Sequence, residues 1–294
     1  MDLVILAAGL GSRFGGLKQV TPVDEYNNFI IDYSIIDAAY AGFDRVIFII
    51  KKDNKEIFDS TIGSRVKKFI KVEYAYQEFD SPLIPKDRTK PMGTAQALLS
   101  VKDIVSDKFL IINSDDFYGR DSYQEAFNAL NSIPSDSKNK YFNIAYKAKN
   151  TLSSNGSVKR GIINYENNLL NNLTESIIYK ENGKIYASPL DDKDNIKEID
   201  EDTLVSMNMF GFTKDFMNYL VEEYKLFLET EDLSSKEYLL PDVVAKVVKE
   251  KKAICEVRTT DSKWFGVTYK EDKEEVEQKI KELKSKGVYK ETLY

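Results

Sequence analysis

The start of the chain constrains it most. Leu3-Val4-Ile5-Leu6 is an apolar run of the length and composition of a buried strand. It runs directly into Ala7-Ala8-Gly9-Leu10-Gly11-Ser12-Arg13-Phe14-Gly15-Gly16-Leu17-Lys18. Four glycines, a serine, an arginine and a lysine therefore follow the strand within ten residues. Glycine lets backbone N–H groups approach a ligand closely. Arginine supplies a planar fork for two phosphate oxygens, and lysine supplies a movable point charge. A strand followed by such a loop is a phosphate cradle.

Two familiar glycine patterns fail on specific residues. The dinucleotide fingerprint needs glycine at its first, third and sixth positions. Gly9 and Gly11 satisfy it, but Phe14 stands in the third place. The Walker pattern needs Gly-Lys-Ser/Thr after four intervening residues. Gly11 and Gly16 satisfy it, but Leu17 precedes Lys18, and Gln19 replaces the magnesium-binding hydroxyl.

Composition narrows the chemistry. The chain has 294 residues and no histidine. Ser/His and Cys/His catalysis and most zinc sites are thereby excluded, leaving Asp, Glu, Lys, Arg, Tyr and hard metal ions. A net charge of −6 argues against a nucleic-acid partner. No apolar run approaches the ~20 residues of a membrane span, and Met1-Asp2-Leu3 lacks the basic start of a signal peptide. The single cysteine, Cys255, forms no intramolecular disulfide and suits a reducing cytoplasm. Its apolar setting predicts a buried core thiol.

The patterning predicts an α/β chain. Strands are expected at 2–8, 45–50, 71–77 and 108–113, with helices at 31–41, 54–70, 93–105 and 121–133. Val/Ile/Leu runs separated by helices imply a parallel sheet covered on both faces, with ligands at the carboxyl ends of its strands. Two polar clusters follow such ends. Gln77 closes the third strand, and Lys90-Pro91-Met92-Gly93-Thr94-Ala95-Gln96-Ala97 follows after a loop carrying Arg88, a lid over bound phosphates or a solvated charge. Asn113-Ser114-Asp115-Asp116 follows the fourth strand, where a carboxylate can hold magnesium beside phosphate oxygens. Asp116 is expected to be a helper or a helix cap.

Beyond residue 133 the pattern loosens. Strands are expected at 141–148, 158–163, 173–179, 203–212 and 253–259, a charged turn at 191–202, and helices at 214–228, 239–251 and 269–286. The last helix carries an apolar stripe of Val276, Ile280 and Leu283 and an expected Glu277–Lys281 pair, for packing on the core or on a second copy.

Leu6-Ala7-Ala8-Gly9-Leu10-Gly11-Ser12-Arg13-Phe14 with Lys18 resembles the opening signature of the sugar-phosphate nucleotidyltransferases, the nucleotide-sugar pyrophosphorylases. The resemblance covers nearly the whole chain and is strongest through residue 119. It implies a three-layer Rossmann-like fold with a mixed, mostly parallel sheet and an inserted antiparallel acceptor region. The whole is expected as one domain, with a nucleotide-binding half at 1–133 and an acceptor half at 134–294. Some members append a left-handed helical repeat, and none is expected within these 294 residues.

The implied reaction joins a nucleoside triphosphate (UTP, dTTP or CTP) to a sugar 1-phosphate with Mg²⁺, releasing pyrophosphate. The resemblance assigns catalysis to Arg13, Lys18 and Asp115, with the metal on Asp115. It assigns nucleotide binding to Leu6, Ala7, Ala8, Gly9, Gly11, Ser12, Gln77, Gly93 and Thr94, and acceptor binding to Gly161, Glu175 and Asn208. Two departures stand out. The family follows its acceptor glutamate with lysine, whereas this chain has Ser176, with Lys159, Arg160 and Lys180 as candidate substitutes. The family's W-x-D-x-G-T, source of a second metal carboxylate, becomes Trp264-Phe265-Gly266, with Asp242 and Asp261 as candidate replacements. Phosphocholine or another non-sugar phosphate is the alternative acceptor. A glycosyltransferase and a non-catalytic regulatory protein are the alternative classes.

Overall fold

The computed structural model describes residues 1–9, 22–78, 81–267 and 271–294. Gly11, Ser12, Arg13 and Lys18 therefore lie outside the described residues. Among those described, eleven strands form one mixed sheet and two short strands form a second.

The first half builds the parallel part. Strands β1 (Asp2–Leu6), β2 (Arg45–Ile50), β3 (Lys71–Tyr76) and β4 (Lys108–Asn113) lie in the order β4-β1-β2-β3, all parallel. The two-residue period of a strand divides β1 between the two faces of the sheet. Leu3 and Ile5 join one core and Val4 the other, all with zero exposure. Helix α1 (Ile30–Ala41), the short α2 (Lys55–Phe58) and α3 (Ser64–Val66), and α5 (Arg120–Ser132) cover the first face. Helix α4 (Thr94–Leu99), with α6 (Phe216–Thr230) and α7 (Leu240–Lys249), covers the second. The helices that follow β1 and β4, α1 and α5, therefore lie on the same face and pack against each other.

The helix expected at 54–70 is instead broken by a π-type turn at Asp59–Gly63. That expected at 93–105 stops at Leu99, where the Ser100 hydroxyl donates to the Ala97 carbonyl at 2.7 Å.

The second half completes the same sheet. Strand β6 (Lys140–Lys147) is followed by the hairpin of β7 (Val158–Glu166) and β8 (Leu169–Glu181), then β9 (Lys184–Pro189) and β10 (Lys197–Ile199). Next, β11 (Leu204–Thr213) runs antiparallel between β4 and β6, and β12 (Ile254–Thr259) runs parallel to β6. The residues after 133 are therefore hydrogen-bonded into the sheet of those before it. Asn167 and Asn168 at φ 52° and 61° turn the first hairpin, and Asn182 with Gly183 turns the second. These left-handed pairs match the twist of hairpin strands. Strand β9 lies where the sequence pattern marked no element, and β10 lies inside the expected charged turn. Cys255 is fully buried, as expected.

Strands β5 (Asp116–Phe117) and β13 (Phe265–Gly266) form the second sheet. Helix α8 (Asp272–Ser285) packs on it and on α1 through Val276 and Ile280. The expected stripe thus serves intramolecular packing. The expected Glu277–Lys281 pair does not form; Glu277 pairs with Lys273 at 3.3 Å. No helix among the described residues is long and apolar enough to cross a membrane.

Candidate active site

Of the expected residues, those described at the ends of β1, β3 and β4 lie at one end of the sheet. β1 and β4 pair in register, Leu6 opposite Asn113, so the glycine-rich loop and the acidic turn leave side by side. The Ser114 N–H donates to the Leu6 carbonyl at 3.2 Å, and the Ala7 N–H to the Ile49 carbonyl at 2.9 Å. Ala7 and Ala8 are buried and Gly9 is exposed at the loop mouth. A Cβ added to Gly9 would meet nothing within 4 Å.

Gln77 leaves β3 at the level of Ile50, whose carbonyl takes its N–H at 3.0 Å. Its Nε2 donates to Gln96 Oε1 at 2.7 Å, and Gln96 Nε2 donates to the Glu78 carbonyl at 2.8 Å. The buried Gln96, to which sequence reasoning gave no role, thus orients Gln77. Gly93 has φ +107°, and a Cβ there would come within 2.3 Å of the Tyr238 carbonyl oxygen. Its glycine is required by the seating of α4 against the start of α7. Thr94 joins the same contact, its hydroxyl accepting the Leu240 N–H at 2.9 Å. Arg88 is no lid: its guanidinium donates to the carbonyls of Lys90, Pro91, Leu233 and Lys236 at 2.6–3.0 Å, stapling loop to loop.

The acidic turn is held by Tyr118. Its buried hydroxyl accepts the Asn113 N–H at 3.0 Å, donates to the Met207 carbonyl at 2.9 Å and lies 3.3 Å from Asp116 Oδ2. Asn113 Nδ2 donates to that same oxygen at 2.8 Å. Asp116 does not cap a helix; it lies in β5, paired with Gly266, and Gly119 precedes α5. Burial first, then the negative charge of Asp115, pushes its carboxyl up to about 7, against the opposing pull of Asn113 and Arg160. No sequence signal marks Tyr118, because Met207 is 89 residues away in the chain.

The residues expected to bind the acceptor lie on β7, β8 and β11. Gly161 pairs with Glu175 across β7–β8 and with Ser206 across β7–β11. A Cβ at Gly161 would approach Glu175 Oε1 to 3.0 Å. β11 breaks register with β6 between Ser206 and Phe210, and Asn208 sits in that bulge at φ 60°. Bulges of this kind re-aim a side chain out of the ladder. The Glu175 carboxyl is raised first by burial and then by the negative charge of Asp242, on the α7 helix that packs against β8. Neither carboxylate accepts a hydrogen bond within the described residues.

Arg160, the neighbour of Gly161, is 7% exposed. Its guanidinium stacks 4.1 Å from the Trp264 ring, and burial pulls its pKa down to about 10, leaving it charged at neutral pH.

The lost family carboxylate is explained by register. An ideal Cβ at Gly266 would lie 3.0 Å from the Asp115 carbonyl oxygen and 3.1 Å from Asp116 Oδ1. Asp116 therefore brings a carboxylate to the place a side chain at 266 would enter. Asp261 is instead 92% exposed and paired with Lys147, and Asp242 lies by Glu175. No group of three or more Asp, Glu, His or Cys side chains gathers for a metal among the described residues. Two adjacent carboxylates fit a magnesium ion that takes its remaining oxygens from phosphate and water.

Comparison with known proteins identifies the family and the fold. The sequence model of the nucleotidyl transferase family matches residues 3–283. The bifunctional protein GlmU of Methanococcus maripaludis strain S2 is 24% identical over 202 residues, which are 63% of this chain and 44% of that protein. That of strain C7 matches to the same extent. The chain thus spans less than half the length of these curated relatives. Among solved structures, the inositol-1-phosphate CTP transferase of T. maritima superposes with TM-score 0.60 at 15% identity, over 96% of both chains. A putative glucose-1-phosphate thymidylyltransferase from Bacillus anthracis, solved with a sucrose, gives TM-score 0.60 at 16% identity, covering 95% of this chain and 94% of that one. With the family matched over nearly the whole chain and the fold shared end to end, the protein belongs to the nucleotidyl transferase family.

Proposed function

We propose that the protein joins a nucleoside triphosphate (UTP, dTTP or CTP) to a phosphorylated polyhydroxyl acceptor, a sugar 1-phosphate first among them, and releases pyrophosphate. The observation that carries this reading is the paired exit of two loops. Residues 7–9 and the Asp115 turn leave adjacent parallel strands, and Tyr118 ties the turn to β11.

In this reading the backbone of residues 6–11 and Ser12 cradle the triphosphate, and Gln77, with Gly93 and Thr94 seating its helix, holds the nucleoside. Arg13 grips the β- and γ-phosphates, and Lys18 lies between the α-phosphate and the incoming phosphate oxygen. Asp115 would hold Mg²⁺, with Asp116 beside it. The ion supplies charge neutralisation on the phosphates as pyrophosphate departs. The chain's own part is alignment of two anions, with no covalent intermediate on the protein. Glu175 and Asn208 take the acceptor, with Gly161 leaving them room. Glu175 and Asp242 offer carboxylate oxygens not engaged by donors of the described residues, which suits the hydroxyl groups of a sugar or cyclitol more than the methyl groups of phosphocholine. The single buried cysteine fits a cytoplasmic setting.

The test is pyrophosphate release over a grid of CTP, UTP and dTTP against glucose 1-phosphate, inositol 1-phosphate and phosphocholine. Release is expected with a hydroxyl-rich acceptor only, and only with Mg²⁺. Tight nucleotide binding with a blank grid would favour a regulatory, non-catalytic protein.

A further inference from the structure

We infer that Tyr118 is a positioning residue: its one buried hydroxyl couples the acidic turn to the β11 bulge, so that Asp115 and Asn208 are set relative to each other. The inference rests on the proposed nucleotidyl transfer and gives that reaction a residue with no surface to offer either substrate.

The place of the hydroxyl carries it. The antiparallel ladder between β4 and β11 ends with Ile111 opposite Phe210. Continued unbroken, it would set Asn113 opposite Asn208. Instead the Tyr118 oxygen stands between the two strands. It accepts the N–H of Asn113, two residues before Asp115, and donates to the carbonyl of Met207, one residue before Asn208. A hydroxyl has one proton to give, and Met207 at 2.9 Å is nearer than Asp116 Oδ2 at 3.3 Å. Tyr118 has zero exposure, so losing the oxygen would leave two buried backbone groups without a partner.

The bulge is braced from its other side as well. Asn143 of β6 is fully buried at the register break. Its Nδ2 donates to Ser206 Oγ at 2.9 Å and to the Met209 carbonyl at 3.1 Å. Ser206, Met207 and Met209 are thus each held by a buried side chain. Asn208, between them at φ 60°, is the one residue of 205–213 that is not buried. A left-handed residue other than glycine persists where its surroundings over-determine it, and such residues cluster at ligand sites. Nucleotidyl transfer needs the metal-bound phosphates and the acceptor in line, and a displacement of about 1 Å can cost about 10²-fold in rate. A strut from the β4 end to the bulge holds that alignment, and Asn143 holds the bulge alone.

Tyr118→Phe makes the test. It keeps the ring, which packs against Tyr123 and Tyr146, and removes only the oxygen. Per folded molecule, kcat should fall about tenfold or more while the KM of the triphosphate stays put. Asn208→Ala should raise the acceptor KM about tenfold in the wild type. In the Tyr118→Phe background the same substitution should cost about threefold or less, because the bulge is no longer set; independent residues would give the full effect in both backgrounds. A tyrosine that only stabilises the fold would lower the melting temperature, leave kcat of the folded fraction unmoved and leave the Asn208→Ala effect at full size. That result overturns the inference. The coupling is also read without turnover, by amide NMR of isotope-labelled protein as Mg²⁺ is titrated in. The Asp115 and Asn208 amides should shift with one midpoint in the wild type, and Asn208 should stay still in Tyr118→Phe. An Asn208 amide that does not follow Asp115 in the wild type overturns the coupling, and it decides the question should Y118F not fold. Amides that move together with a blank reaction grid would sink the proposed activity and keep the strut. Turnover that Tyr118→Phe leaves untouched would do the reverse.

Discussion

The two ends of the sheet are built on different physics. The β3-β2-β1-β4 edge is parallel, and its inner strands β2, β1 and β4 are buried on both faces and are near-continuous runs of Val, Ile, Leu and Phe. The wall of β7, β8, β9 and β11 is antiparallel, with asparagine turns and a bulge at Asn208. In the first region a residue's role follows from its distance past a strand end. In the second it follows from which residue stands opposite, a quantity no single strand reveals. Gly161 opposite Glu175 is such a case.

The largest expected effect falls on the parallel side. Asp115→Asn should lower kcat by about 10²–10³-fold with an unchanged melting temperature, the usual loss when one electrostatic contact to a transition state is removed. Lys18→Ala should lower it by about 10²-fold or more. Near wild-type turnover in either would break the claim that this end does the chemistry.

Gly93→Ala separates seating from contact. Its Cβ would strike the Tyr238 backbone at a positive φ, so a loss of about 2–4 kcal/mol in unfolding free energy is expected. Activity per folded molecule should fall little. An unchanged melting temperature with lost nucleotide binding would return Gly93 to direct ligand contact.

A third effect tests the clamp that α8 and the segment after it place over α1. Tyr289 donates to the buried Asp37, which Arg120 also reaches at 2.9 Å. Burial raises the Asp37 carboxyl to about 6, above the ordinary 3.8 of the unfolded chain. The folded state therefore holds this proton more firmly. The resulting stabilisation is complete below about pH 4 and is lost as pH rises through about 6. The stability of the wild type minus that of Asp37→Asn should fall by about 1–3 kcal/mol between pH 4 and pH 7 in urea titrations. A difference that rises across that window would reverse the sign of the account.

The smallest effect sharpens the acceptor side. Glu175→Gln should raise the KM of a hydroxyl-rich acceptor about tenfold and leave the triphosphate KM alone, as for the loss of one charged hydrogen bond. Equal loss on both substrates would place Glu175 in the nucleotide half.

Legibility in the sequence divides along the same line. Strands β1, β2 and β4 were readable as apolar runs and β3 as an alternating one, and Gln77 and Asp115 as polar residues at their ends. The carbonyl partners of Arg88 were not readable, because Leu233 and Lys236 lie some 145 residues away. Nor was Tyr118 as holder of the acidic turn. Strand β9 was missed although Asn182-Gly183 is a hairpin signal, because its Lys-Ile-Tyr-Ala-Ser-Pro run is short and half polar. Residue type at a strand end survives translation from sequence to space; pairing across a ladder has to be seen.

The central claim is that the bond between the α- and β-phosphates is cleaved by the acceptor's phosphate. A triphosphate labelled at the α-phosphorus, incubated with Mg²⁺ and the acceptor that the grid selects, tests this directly. The account predicts that all consumed label appears in a nucleotide–diphospho product, with one unlabelled pyrophosphate released per product. Label appearing as free nucleoside mono- or diphosphate, or a triphosphate bound and never consumed, would contradict it.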